Sequence, residues 1–221
     1  MDNSRDFPLT LPLGPEGTAL HGTLGVPERA KGAVVFAHGS GSSRLSPRNR
    51  HVAAALRASG FATLLFDLLT EEEAADRARV FDIPLLAGRL LGAVRMVRAR
   101  PETAALPLGL FGASTGAAAA LVAAAEEPDS IAAVVSRGGR PDLAGPALAR
   151  VGAPTLLLVG AEDRDVVALN RAAMADLGGP VEVRLIPGAT HLFEEPGTLD
   201  EVVRHAIDWF ERHLRQPVPQ Q

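Results

Sequence analysis

The stretch that most constrains this chain is Leu106 to Ala120, LPLGLFGASTGAAAA, an apolar run interrupted by Gly112-Ala113-Ser114-Thr115-Gly116 and continued as a row of alanines. It reads as a buried strand, a sharp turn presenting one serine, and a helix packed closely on its neighbours. Glycines two before and two after the serine clear space for a strained backbone. That strain holds the hydroxyl above the end of a sheet, with a helix N-terminus directly behind it. A pentapeptide alone is weak support in a chain rich in Gly and Ala, so the remaining sequence must supply what such a serine needs.

Ordered from the N-terminus, Phe7 to Leu13 and Ala19 to Val26 alternate partly between apolar and other residues around the turn residues Gly14-Pro15-Glu16-Gly17, which predicts an antiparallel hairpin at a sheet edge. The run Ala33 to Ala37 is continuously apolar, the form of a strand buried on both faces of a parallel sheet. Further strands are expected at Phe61 to Leu68, Ile131 to Val135, Thr155 to Val159 and Val181 to Ile186. Helices are expected at Pro47 to Ser59, from Asp82 to Pro101, and at Val166 to Leu177 and Leu199 to Leu214. In the helix that starts at Asp82, Leu86, Leu90, Val94 and Val97 share one face while Arg89, Arg95 and Arg98 project elsewhere. Thr70 and Glu73 have capping-box spacing and open a charged helix reaching about Val80, read as a solvated surface element in preference to a mobile lid. The tail Gln216 to Gln221 is polar and expected to fray. Alternating strands and helices call for an α/β fold with a mostly parallel sheet covered on both faces, as one domain over 1–221 with its core at about 7–214.

Composition narrows the chemistry. The 221 residues include no cysteine, which removes disulfides, thiolate metal sites and a cysteine nucleophile. A formal net charge of -4 gives no basic footprint for nucleic acid. The N-terminus lacks the form of a leader and no segment is apolar for long enough to span a bilayer, so the expectation is a cytoplasmic protein with no membrane partner, as monomer or homodimer. The Gly39-Ser40-Gly41 loop lacks the glycine patterns of nucleotide cradles. His38 has no neighbouring ligand at plausible spacing and is expected to hydrogen-bond structurally. No metal and no cofactor are expected, and His21, His51, His205 and His213 read as solvated or structural.

The expected strand ends carry a serine, then an acid, then a histidine: Ser114; Asp163 in Gly160-Ala161-Glu162-Asp163-Arg164-Asp165; and His191 in Gly188-Ala189-Thr190-His191. A serine hydroxyl is a poor nucleophile near neutral pH and needs an imidazole base, whose tautomer a carboxylate must fix. Asp163 is preferred for that carboxylate, with Asp165 and Glu162 as neighbouring candidates. Such a base must be uncharged to act, so kcat/KM is expected to rise with pH across the range where imidazole loses its proton.

At these residues the chain resembles the α/β-hydrolase superfamily, and within it the dienelactone-hydrolase-like branch. HGSGS, GASTG, GAEDRDV and GATHLF carry the resemblance, which spans about residues 7 to 214. It implies an α/β-hydrolase fold, Ser114 as nucleophile, His191 as base, Asp163 as its acid, and the backbone N–H groups of Ser40 and Thr115 as an oxyanion hole. Dienelactone hydrolase proper has a cysteine followed by two glycines, whereas Ser114 is followed by Thr115-Gly116-Ala117, so the likeness extends to the hydrolase and not to lactone specificity.

Two basic clusters should lie near the active face: Arg44, Arg48 and Arg50 after the oxyanion loop, and Arg137 and Arg140 after a strand. They read either as partners of Glu71, Glu72, Glu73 or Asp142, or, for Arg44, Arg137 and Arg140, as recognising a substrate carboxylate or phosphate. About 20 residues separate Val135 from Thr155, too few for a cap domain. A shallow, open pocket for small or flexible acyl groups follows. The expected activity is hydrolysis of a carboxylic ester, lactone or thioester through an acyl-enzyme on a small-molecule, potentially anionic substrate. Perhydrolase or haloperoxidase-like chemistry on the same triad, and a non-catalytic binding protein, are the alternatives.

Overall fold

The structure is a computed structural model that describes residues 4–12 and 19–215. The chain begins with β1 (Arg5–Leu11) and β2 (Leu20–Val26), paired antiparallel from Arg5↔Val26 to Leu11↔Leu20. The turn expected at Gly14 to Gly17 and the tail from Gln216 lie outside the described residues. β2 pairs antiparallel with β4 (Phe61–Phe66), and the sheet then continues parallel through β3 (Gly32–Ala37), β5 (Leu108–Ala113), β6 (Ala133–Arg137), β7 (Thr155–Gly160) and β8 (Val181–Ile186). The order is β1-β2-β4-β3-β5-β6-β7-β8.

Side chains alternate between the two faces of each strand. Val35, Leu108, Leu110 and Val134 face one layer, which holds α4 (Ile83–Ala99) and α5 (Thr115–Glu126). Val34, Phe36, Phe111 and Val135 face the other, against α1 (Pro47–Ala58) and α7 (Thr198–His213), where Trp209 and Phe210 fill the core. α5 is buried almost all round, and its run of alanines lets it lie close to both the sheet and α4. Between β6 and β7 the chain forms only a short kinked 3₁₀ segment, Pro141–Arg150, and α6 (Arg164–Asp176) follows β7. No cap domain occurs among the described residues.

Among the differences from the sequence expectation, three lie at the carboxyl edge of the sheet. β4 stops at Phe66 because the Leu68 N–H turns away to the His38 ring. β6 runs through Arg137, so Ser136 and Arg137 belong to the sheet, opposite Gly112 and Ala113. The charged excursion is two short helices, α2 (Glu71–Ala75) and α3 (Arg77–Val80), broken at Asp76, whose extended backbone and side chain cap the second.

From β3 the chain moves one way to β4, then returns past β3 to β5 and onward. The strand order therefore reverses between β3 and β5. In open parallel sheets a crevice forms at the carboxyl ends of the strands at such a reversal. The loop after β3 and Ser114 after β5 both sit there.

Candidate active site

Ser114 is the residue before α5 and has φ 52° and ψ -120°, a region L-residues with side chains avoid. Its neighbours allow it. A Cβ on Gly112 would stand 2.7 Å from the Ala117 nitrogen, and one on Gly116 would overlap the carbonyl oxygens at the end of β3. The turn is held by Ser114 N–H donating to Arg137 O (3.2 Å) and by Ser114 O accepting from Ala117 N (3.1 Å) and Arg140 N (3.2 Å). Thr115 N–H, in the first turn of α5, is among the donors that a helix start leaves open. Ser40 N–H has no protein acceptor among the described residues. Gly39 brings that loop against the serine: a Cβ there would be 2.9 Å from Ser114 Cβ.

His38 pins the same loop. Leu68 N–H donates to His38 Nε2 at 2.9 Å, so the ring proton lies on Nδ1, which donates to Gly39 O at 3.0 Å. The ring is buried, and burial pushes its pKa below the usual imidazole value against smaller opposing effects of Gly39 and Asp67. A neutral, tautomer-fixed imidazole thus ties the end of β3 to the end of β4.

His191 follows β8 and Asp163 follows β7. His191 Nδ1 lies 2.7 Å from Asp163 Oδ2, with the carboxylate side chain 17% exposed and the ring 40%. The structure brings Asp163 to the histidine; Glu162 and Asp165 are exposed, the latter in the first turn of α6. The two loops are stitched by Ala161 N–H to Ile186 O (2.9 Å) and Glu162 N–H to Ala189 O (3.0 Å). Thr190 is anchored by Glu195, which accepts from its N–H (3.1 Å) and its hydroxyl (2.5 Å).

The arginines separate into two groups. Arg44 is committed to Asp67 through its N–H (2.8 Å) and Nη1 (2.9 Å), and Arg140 makes a two-pronged pair with Asp142 (2.8 and 2.6 Å) that raises its pKa. Arg48 reaches Glu194 at 3.1 Å. Of the two readings open for Arg44 and Arg140, the ion pair is the one formed: Arg140 with Asp142, as the sequence offered, and Arg44 with Asp67, a partner the sequence did not suggest. Arg137 is different. It is 9% exposed, its Nη1 is buried without an acceptor among the described residues, and burial, then the nearby Arg48 charge, push its pKa down to about 10.

One pair escaped the sequence reading. Arg89, expected to project away from the core, is buried and donates to both Glu73 oxygens (2.7 and 2.6 Å) and to Leu68 O (2.7 Å). The signal was present: Arg89 stands three residues after Leu86 and one before Leu90, hence on the inward side of α4. Glu73 also closes the capping box with Thr70, and the Arg89 guanidinium holds its carboxyl down to about 2. No group of three or more His, Cys, Asp or Glu suited to a metal occurs among the described residues, and no helix there is long and apolar enough to cross a membrane.

A mostly parallel sheet flanked by helices, with a strained serine after β5 and a histidine–carboxylate pair at the ends of β7 and β8, is the architecture of an α/β hydrolase. The chain belongs to the dienelactone hydrolase family, whose model matches residues 20–214. The structure of a dienelactone hydrolase from Anabaena variabilis is 52% identical, with a TM-score of 0.90 over 96% of this chain and 99% of that one. Est1E from Butyrivibrio proteoclasticus shares the fold at 16% identity, with a TM-score of 0.75 over 93% of this chain and 98% of the other. A protein of Mycobacterium tuberculosis strain H37Rv named "Putative phosphoribosyl transferase" is 58% identical over 215 residues, which is 97% of this chain and 48% of that protein. The chain therefore spans about half the length of the curated relatives it matches. Family and fold together support a hydrolase.

Proposed function

We propose that this chain hydrolyses carboxylic esters through Ser114, His191 and Asp163. The observation that supports the reading is the 2.7 Å His191–Asp163 pair at the ends of β7 and β8, on the same carboxyl edge of the sheet as the strained Ser114. His191 Nε2 takes the Ser114 proton as Oγ attacks the ester carbonyl, and the N–H groups of Ser40 and Thr115 receive the oxyanion. The carboxylate fixes the tautomer and stabilises the imidazolium, which then protonates the departing alcohol. Water, activated by the same imidazole, attacks the acyl-enzyme and releases the acid and free Ser114. Preorganised donors of this kind contribute about 3–4 kcal/mol each to the transition state.

Arg137 completes the reading as the contact for a negatively charged group on the substrate, because Arg44 and Arg140 already hold carboxylates. The transferase in the names of the mycobacterial relatives belongs to proteins about twice this span; the half matched here carries residues suited to acyl chemistry. The test is hydrolysis of p-nitrophenyl acetate by wild type and Ser114→Ala. Turnover by the wild type that the variant loses supports the proposal, and equal turnover by the two, or none by either, overturns it.

A further inference from the structure

The sheet ends at β1 on one side and at β8 on the other, and the two edges differ. β1 carries Pro8, which has no N–H to offer a further strand. β8 carries no proline, and no described segment pairs with its outer side. Thr155 N–H donates to Pro180 O (2.8 Å) and Ala161 N–H to Ile186 O (2.9 Å), so the even-numbered residues of β8 turn their backbone groups toward β7. Val181, Val183 and Leu185 therefore point their N–H and C=O groups outward. Their side chains lie on the sheet face of Val134, whereas Glu182 and Arg184 lie on the face of α7. Arg184 donates to Glu182 at 2.9 Å, and Arg212 of α7 donates to the same carboxylate at 3.2 Å.

We infer that the outer edge of β8 pairs antiparallel, about Val183, with β8 of a second copy of this chain. In that register Val183 opposes Val183 and Val181 opposes Leu185, so each outward N–H meets an outward C=O. Glu182 then stands opposite Arg184 in both directions. Moving the centre to Glu182 or to Arg184 would also match the outward backbone groups, but it sets two carboxylates or two guanidiniums face to face, which destabilises a strand pair. Charges on an edge strand ordinarily block pairing. Here their opposite signs, two residues apart, block the neighbouring registers and favour one.

The flanking helices extend the self-complementary surface. On the α7 face, Arg204, Asp208, Glu211 and Arg212 border the same charged cleft as Glu182 and Arg184, so a two-fold axis presents a mixed row of both signs to its own copy. On the other face Leu185 is 37% exposed, and Met174 is exposed on α6, which packs on β7 and β8. These faces add to the strand contact the area that a stable homodimer buries. Because the paired strands run in opposite directions, the His191 loops of the two copies lie at opposite edges of the joined sheet. The association neither completes nor requires the proposed active site, and its test does not read activity.

Sedimentation equilibrium of the wild type is expected to give a mass that rises with concentration from one chain toward two. Arg184→Glu sets carboxylate against carboxylate and Glu182→Arg sets guanidinium against guanidinium, and each is expected to weaken association by about tenfold or more. Mixed in equal amounts, the two variants restore opposite charges at both positions and are expected to form a heterodimer. The chain has no cysteine, so Val183→Cys reports the register: mild oxidation is expected to yield a covalent dimer, whereas Leu185→Cys, whose counterpart is Val181, yields none. A wild type with the mass of one chain at every concentration overturns the proposal. So do dimers indifferent to both charge variants, charge variants that do not associate when mixed, or equal covalent dimer from the two cysteine variants.

Discussion

His191 Nδ1 stands 2.7 Å from Asp163 Oδ2, a contact made between loops that follow neighbouring parallel strands and are joined by backbone hydrogen bonds. The pair is fixed by the sheet more than by its own attraction. Asp163→Asn therefore leaves the loops in place and removes only the charge and the tautomer control. The expected result is a kcat lower by about 10³- to 10⁴-fold with a folded protein, while Asp165→Asn stays close to wild type. Steady-state kinetics on one short ester compares the two variants.

Arg137 gives a prediction that separates recognition from support. A buried guanidinium without an acceptor does not stabilise the fold, so Arg137→Met is expected to be at least as stable as wild type, within about 1 kcal/mol. Its KM for an ester bearing a carboxylate or phosphate is expected to rise about tenfold or more relative to a neutral ester. A loss of stability with an unchanged ratio of the two substrates would identify a structural arginine. Chemical denaturation and the two-substrate comparison provide the readouts.

The Glu73–Arg89 pair predicts an acid-sensitive latch. Because the folded carboxyl is held down to about 2 against an ordinary 4.5, its contribution is fully present above pH 4.5 and is lost as pH falls toward 2. Glu73→Gln is expected to cost about 1–3 kcal/mol at pH 7, since it leaves a charge at buried Arg89 without its carboxylate. The difference from wild type should shrink as the pH is lowered through that window. Denaturant unfolding of both proteins at pH 7 and pH 3 measures it.

His38 works in a higher range. Its folded pKa lies below the ordinary 6.5, so the unfolded chain takes up this proton first and stability falls as pH drops below 6.5. A proton on Nε2 would also set one N–H against the Leu68 N–H. His38→Ala is expected to cost about 1–3 kcal/mol at pH 8, by leaving the Leu68 donor unsatisfied and Gly39 O with only its bond from the Ser42 N–H, and to lose less on acidification than wild type does. Midpoints of unfolding at pH 8 and pH 5.5 test both statements.

Much of this was legible in the sequence because the informative residues are local. Gly112 and Gly116 around Ser114 announce the strained turn, and the continuous apolar runs announce strands buried on two faces. Asp163 and His191 were found because parallel strands bring their carboxyl ends together, whatever the sequence distance. What escaped depends on pairing across the fold. Ser136 and Arg137 have the composition of a loop, and only the register against Gly112 and Ala113 puts them in β6. Arg44 meets Asp67 across two loops, and the Arg89–Glu73 pair needs the packing of α4 under α2. Charged side chains choose partners by tertiary position, which periodicity along one helix does not encode.

The central claim is that Ser114 is the nucleophile, and covalent labelling addresses it without assuming a substrate. The protein is incubated with a fluorophosphonate and the adduct is mapped by peptide mass spectrometry. The account predicts one adduct, on Ser114, absent from Ser114→Ala and formed about 10²-fold or more slowly in His191→Ala. No adduct, or one that persists in Ser114→Ala, would contradict it.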